Sequence, residues 1–327
     1  MSAESKSATF AAEAAPLPLR AAPTNRLAVA AAFFSIYVIW GSTYLAIRYA
    51  VAAIPPLYTA GVRHLVAGTI LLVWALAKGL RPTWPQIRAS VAIGFLFFLI
   101  GHGSLHWAET KVPSGLASLF IASEPIIVFL MSCAAEKRWR MNGYLLAGVV
   151  LGLAGVGLLI GREVWSSGSG AFLGAVACLV GAISWSAGII YSRRSHLSGS
   201  PLLLSALSLL AGSTMLLTAG TAFGEYRGFS VNNVPIRAWL SLAYLILFGS
   251  VIAFTAYNWL LEHYSPTVVA THTYVNPIVA VLLGWWLAHE RVSVNVLLSA
   301  GMVIAAVFLV DRGMARLGTS QQSTVKS

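Results

Sequence analysis

Charge is what this sequence has least of. Asp, Glu, Lys and Arg together make up 9% of its 327 residues, against about a quarter in soluble domains. No water-facing surface can be built from that inventory. With 58% hydrophobic residues and a mean hydropathy of +0.79, the chain is a multi-span membrane protein. Cysteine is equally scarce: Cys133 and Cys178 fall at or within apolar runs. That excludes a disulfide framework and a cysteine metal cage, and both read as buried small apolar residues. The chain has no Gly-x-x-x-x-Gly-Lys-Ser/Thr loop, which argues against direct coupling to ATP. Alternating strands of the barrel type are also missing, so helices are the form in which this backbone satisfies itself in lipid.

Ten apolar runs are present, each near the roughly 20 residues a helix needs to cross a bilayer: 27–47, 57–77, 88–108, 113–133, 142–161, 169–191, 201–222, 237–259, 266–288 and 293–311. The first is longer than the core of a signal peptide and is followed by further spans, so it reads as a retained helix. Residues 1–26, rich in Ala, Ser and Pro, read as a disordered cytoplasmic tail, and 312–327 as a second cytoplasmic tail. The formal charge of +11 forms no single patch, so nucleic acid is not the expected partner. The basic residues sit between the apolar runs, where they orient helices. An N-terminus in the cytoplasm leaves 14 Lys and Arg on that side and 6 on the other, with Arg63 inside a span. The expectation is a multi-pass protein of the inner (plasma) membrane with both termini cytoplasmic.

The sequence also repeats itself. Ser123-Glu124-Pro125 followed by Glu136-Lys137-Arg138 returns as Val275-Asn276-Pro277 followed by Glu290-Arg291-Val292. Trp40 and Arg48 return at the same eight-residue spacing as Trp185 and Arg193. Residues 27–161 and 169–311 are therefore read as two five-helix repeats. With an odd number of spans in each, the second enters from the opposite side, so the expected fold is all-α: two inverted five-helix repeats around a central cavity.

Trp40-Gly41-Ser42, Arg63, the two Pro-then-Glu units and the segment from Asn276 to Trp285 followed by Glu290-Arg291 resemble the ten-helix EamA-type branch of the drug/metabolite transporter superfamily. The resemblance runs from about Leu27 to Asp311. It implies a secondary transporter that exports small organic metabolites, amino acids foremost, with the aromatic amino-acid exporters as the nearest well-described comparison. It implies no cofactor. Drugs, organic cations or nucleosides are the alternative cargo. An intramembrane metalloenzyme and a channel are the rival classes.

Ionisable groups inside a bilayer are costly and so are functional candidates. Arg63 can grip a substrate carboxylate in a bidentate fork, or pair with an acid such as Glu124. Glu124 stands directly before Pro125, whose missing N–H frees the carbonyl of Ile121. There a carboxyl group can bind a cation, receive an amino group or carry a proton, which would couple transport to protons. Asn276 holds the matching place before Pro277, and both prolines are candidate kinks for gating. His102, His106 and Glu109 share one helical face at i, i+4 and i+7, either as a polar cavity wall or as a metal site. Trp40, Tyr44 and Trp185 are candidate cavity walls for stacking on an amphipathic solute, and Trp107 pairs with Trp259 in the repeat. Trp285 and Trp286 read as interface anchors. Gly148, Gly152, Gly155, Ser299 and Gly301 give small faces for helix contact, and Glu136 and Glu290 read as locks at helix ends.

Overall fold

The computed structural model describes residues 25–136, 141–164, 168–195, 200–264, 266–269 and 271–325. The expected N-terminal tail lies almost wholly outside these residues, as do Lys137, Arg138 and Lys326 of the charge count. Among the described residues nine helices are long and apolar enough to cross a membrane. We number them α1 (Arg26–Val51), α2 (Pro56–Ala77), α3 (Trp84–Ala108), α4 (Ser114–Ala135), α5 (Gly143–Gly161), α6 (Ser169–Ser192), α7 (Pro201–Ala222) and α8 (Ile236–Tyr257). The broken ninth run supplies α9 (His272–Ala288), and α10 covers Val294–Val325. We call the end that α1 reaches at Val51 the distal end.

Local chemistry sets many of the helix starts. Asn25 Oδ1 accepts the N–H groups of Leu27 and Ala28, filling two of the donors that a helix N-terminus leaves open. Thr83 and Gln86 form a capping box at α3, and Pro56 and Pro201 stand in the first turns of α2 and α7, where proline costs no hydrogen bond. The chain leaves α2 through Gly79 at φ 76°.

The ninth run is not one continuous span. A four-residue turn, Pro266–Val269, precedes α9, which begins only at His272 and passes through Pro277 without interruption. In the first half the break comes at Ala122 and Ser123, immediately before Glu124 and Pro125. The two prolines thus hold different positions relative to their breaks. α10 continues to Val325, past the position where the sequence reading began a tail.

Packing pairs α2 with α7 and α5 with α10. Small residues permit both approaches: Gly61 and Gly68 face Leu217, Leu209 and Leu210, while Gly148 and Gly152 face Val310 and Ala306. Gly155 lies against Ser299 and Met302, but Gly301 faces open space and takes no part in this contact. The main core joins α1, α3, α4 and α6 around Ile47, Ala50, Leu119, Phe120 and Cys178. Both cysteines are buried, and neither is in a disulfide. Large apolar side chains such as Val73, Leu153, Leu240 and Leu297 face outward, as a lipid-bathed surface demands.

Four π-helical stretches occur among the described residues: Ser35–Ile39 in α1, Gly94–His102 in α3, Leu159–Val164 at the end of α5 and Leu245–Ile252 in α8. Wider turns redirect side chains and loosen the carbonyl ladder, which is why such stretches gather at functional sites.

Candidate functional site

Three of the π-helical stretches, those in α1, α3 and α8, are met by side chains from the opposite half of the chain. Trp40 donates its indole N–H to the carbonyl of Gly249, 3.0 Å away. Ser184 on α6 donates to Leu96 O at 2.8 Å. Asn276, with its amide turned to suit its surroundings, donates to Ile36 O and Tyr37 O at 3.0 Å and to His272 O at 3.1 Å. The bonds to Gly249, Leu96, Ile36 and Tyr37 each satisfy a carbonyl in a loosened turn.

Arg63 on α2 is 4% exposed, and its Nε donates to Ser250 Oγ at 2.9 Å. Gly249 makes room for it, because a Cβ there would stand 3.2 Å from Arg63 Nη2. Among the described residues the two Nη groups donate to nothing. The acid in electrostatic reach of Arg63 is Glu109, not the Glu124 that the sequence suggested as a partner. Glu109 is wholly buried, and neither carboxylate oxygen has a hydrogen-bond partner among the described residues. Arg48 lies near it but spends its Nη1 on the carbonyls of Glu109 and Val112, closing the C-terminal end of α3.

Histidines complete the cluster. His102 Nδ1 and His64 Nε2 share a 2.7 Å hydrogen bond. His106 Nδ1 donates to His102 O at 2.7 Å, which leaves its Nε2 a bare acceptor, buried and without a partner. His64 stands next to Arg63 in the chain and was not singled out from the sequence, since a lone histidine in an apolar helix breaks no pattern. The face shared by His102, His106 and Glu109 is real, but no group of three His, Cys, Asp or Glu among the described residues is placed to hold a metal ion.

Aromatic rings wall this cluster. Trp185 stacks on His102 (centroids 5.1 Å, 13° between planes) and on Phe97 (4.4 Å, 25°). Phe97 reaches Trp185 because Gly188 has no side chain; a Cβ there would fall 2.4 Å from the Phe97 ring. Tyr44 is half-buried, its hydroxyl within electrostatic reach of both Glu109 and Glu124. Trp40 packs instead with Tyr257 and His272 towards the other end of the bundle. Trp107 points outward beneath Lys111, while Trp259 is half-buried and lines an apolar groove with Trp74, so that repeat pair walls no common cavity. Trp285 and Trp286 are exposed.

Glu124 is half-buried at the start of the second segment of α4, and its carboxylate meets no hydrogen-bond donor among the described residues. The structure thus gathers Arg63, Tyr44, His102, His106 and Trp185 together, with Glu124 within electrostatic reach of Tyr44. Asn276 and Trp40 serve as ties between halves.

The distal end is closed by two glutamates of the second half. Glu290 Oε1 accepts the backbone N–H and the hydroxyl of Ser114, and Oε2 accepts the N–H of Gly115. Glu225 accepts the N–H groups of Leu57 and Tyr58. Both carboxylates sit on positive helix N-termini. His289, in the left-handed conformation at φ 53°, ends α9 and turns Glu290 towards Ser114. Partial burial raises the Glu225 pKa from its ordinary value, opposed by the hydrogen bonds from Leu57 and Tyr58. The side chain of Glu136, the expected counterpart of Glu290, lies outside the described residues.

Comparison with known proteins matches the sequence model of the EamA-like transporter family to residues 27–161 and 172–311. The Uncharacterized inner membrane transporter YedA of Escherichia coli (strain K12) is 38% identical over 289 residues, covering 86% of this chain and 90% of that protein. The Uncharacterized transporter YoaV of Bacillus subtilis (strain 168) is 25% identical, covering 84% and 94%. A solved crystal structure shares the fold with a TM-score of 0.59 at 20% identity, covering 86% of this chain and 96% of its own.

Proposed function

The chain belongs to the EamA-like transporter family, and from that premise we propose that it is a secondary transporter exporting small organic metabolites, amino acids foremost, by alternating access. A multi-pass inner-membrane transporter is the frame. The cargo and the mechanism are our reading. One observation carries the cargo: Arg63 is buried, anchored through Nε alone, and keeps its Nη groups unspent beside aromatic walls. A free guanidinium fork in a low-dielectric setting suits a carboxylate, and Trp185 and Tyr44 supply ring faces for the apolar part of a solute.

Two inverted five-helix repeats, spanning 27–161 and 169–311, would rock against each other around this cluster with both termini in the cytoplasm. The ties that cross between halves at Gly249, Leu96 and Ile36 support a hinge near mid-membrane. The breaks before Glu124 and before His272 supply the flexible points. Glu124, beside its break and with no hydrogen-bond donor among the described residues, is our candidate for a proton-carrying group.

Efflux from liposomes preloaded with radiolabelled amino acids, at two external pH values, tests the reading. We expect saturable efflux of a subset above empty vesicles, with a pH effect. No efflux of any amino acid would end the amino-acid reading and direct the search to drugs, organic cations and nucleosides.

A further inference from the structure

Three buried acceptor atoms in the Arg63 cluster have no donor among the described residues: Glu109 Oε1, Glu109 Oε2 and His106 Nε2. The assignment of His106 follows from its other nitrogen, which faces a carbonyl and so must carry the hydrogen. Both side chains are wholly buried, where an unmatched polar group costs free energy that a stable fold seldom leaves uncompensated. Glu109 caps the C-terminus of α3 three residues after His106, a spacing that on a helix puts Cβ atoms roughly 5–6 Å apart on one side. Arg63, within electrostatic reach of both, has the opposite surplus, with donors and no acceptor beyond Ser250. One end of the cluster therefore lacks donors and the other lacks an acceptor.

We propose that Glu109 and His106 receive the ammonium group of an α-amino acid whose carboxylate is held by Arg63. This rests on the amino-acid reading above and names the half of the solute that reading left unassigned. An ammonium carries three N–H donors, one for each orphaned acceptor. Arg48 from α1, Arg63 from α2 and Glu290 from beyond α9 lie within electrostatic reach of Glu109. An ammonium group beside a carboxylate answers both shortages at once. The site is thus built for solutes carrying both charges on adjacent groups, and it disfavours α-hydroxy acids and N-acylated amino acids, which share the carboxylate but lack the ammonium.

The experiment is ligand-induced thermal stabilisation of the purified full-length protein, titrated with phenylalanine and leucine, with their α-hydroxy acid analogues, and with their N-acetyl derivatives. The wild type should favour the amino acids by about 10- to 100-fold, the range of a lost charge-assisted hydrogen bond. Glu109→Gln should weaken the amino acids by that factor and leave the α-hydroxy acids unchanged, erasing the preference. His106→Asn is the second variant, because its amide N–H can still serve His102 O while the bare acceptor is gone. It should narrow the preference in the same direction. A wild type that binds the α-hydroxy acids as well as the amino acids overturns the proposal and leaves the carboxylate site on Arg63 standing. So do variants that weaken both classes alike, which would mark Glu109 and His106 as structural or water-bound. If no α-carboxylate solute stabilises the wild type, the amino-acid reading falls and takes this proposal with it.

Discussion

Glu290 and Ser114, separated by 176 residues, are joined at 2.8 Å through the Ser114 N–H and at 2.9 Å through its hydroxyl. The bond binds the end of α9 to the start of α4, and so the second half to the first. Gly284 makes it possible, since a Cβ there would lie 2.4 Å from Glu290 Oε2. A helix N-terminus with open N–H groups is an anion site in waiting, and here the anion is a side chain of the same protein.

Replacing that carboxylate should loosen the distal end. Glu290→Ala removes three hydrogen bonds to a helix start and is expected to lower stability by about 1–3 kcal/mol. Thermal unfolding in detergent reads this directly. An unchanged melting temperature would mean that the contact contributes nothing in the resting protein.

Glu225 makes a prediction in pH. Its folded-state pKa is raised, so the folded protein binds more protons than the unfolded chain as this group titrates, and stability falls as pH rises through the carboxylate range. The contribution is fully present below the unfolded value and is lost above the raised one. Glu225→Gln should flatten that decline. Melting temperatures of the two proteins that differ by a constant at every pH from acid to neutral would refute the assignment.

Gly188 is the space that Phe97 uses to reach Trp185. Gly188→Ala should push the ring aside at a cost of about 1–3 kcal/mol and should weaken transport more than folding. The intrinsic tryptophan spectrum of a Trp185-only background, with the other tryptophans replaced by phenylalanine, reports whether the stack has moved. The same spectrum in both proteins would show that the ring is accommodated elsewhere.

Glu124 stands apart from the arginines and meets no donor, so its protonation should govern transport more than structure. Glu124→Gln should flatten the pH dependence of efflux while sparing the melting temperature. A pH profile identical to the wild type would place proton sensitivity at another group.

Much of this was legible beforehand. Membrane class, helical fold and helix count follow from runs such as 201–222, because bilayer thickness acts on a local length of chain. The doubling follows from Glu124-Pro125 and Asn276-Pro277. Arg63 and Glu124 stand out because charge in an apolar run is rare, and His102 and His106 because they recur at helical spacing with Glu109. Other features left no such mark. His64 and Ser250 are ordinary single residues, Glu225 sits in a polar connection, and π-helical stretches have no residue code of their own. The unbroken passage of α9 through Pro277 was equally unreadable, since the same dipeptide context follows a break in the first half.

The sequence by itself determined that this chain crosses a membrane as helices, that it is built twice, and which few ionisable groups it carries into the apolar interior. Those properties depend on neighbours along the chain. Only the tertiary structure decided that Arg63 lies in electrostatic reach of Glu109 rather than Glu124, that Trp40 and Asn276 tie the halves together, and that Glu290 closes on Ser114. Those partners lie far apart in sequence, and which buried donor meets which acceptor is settled only when α1, α2, α3 and α8 pack together.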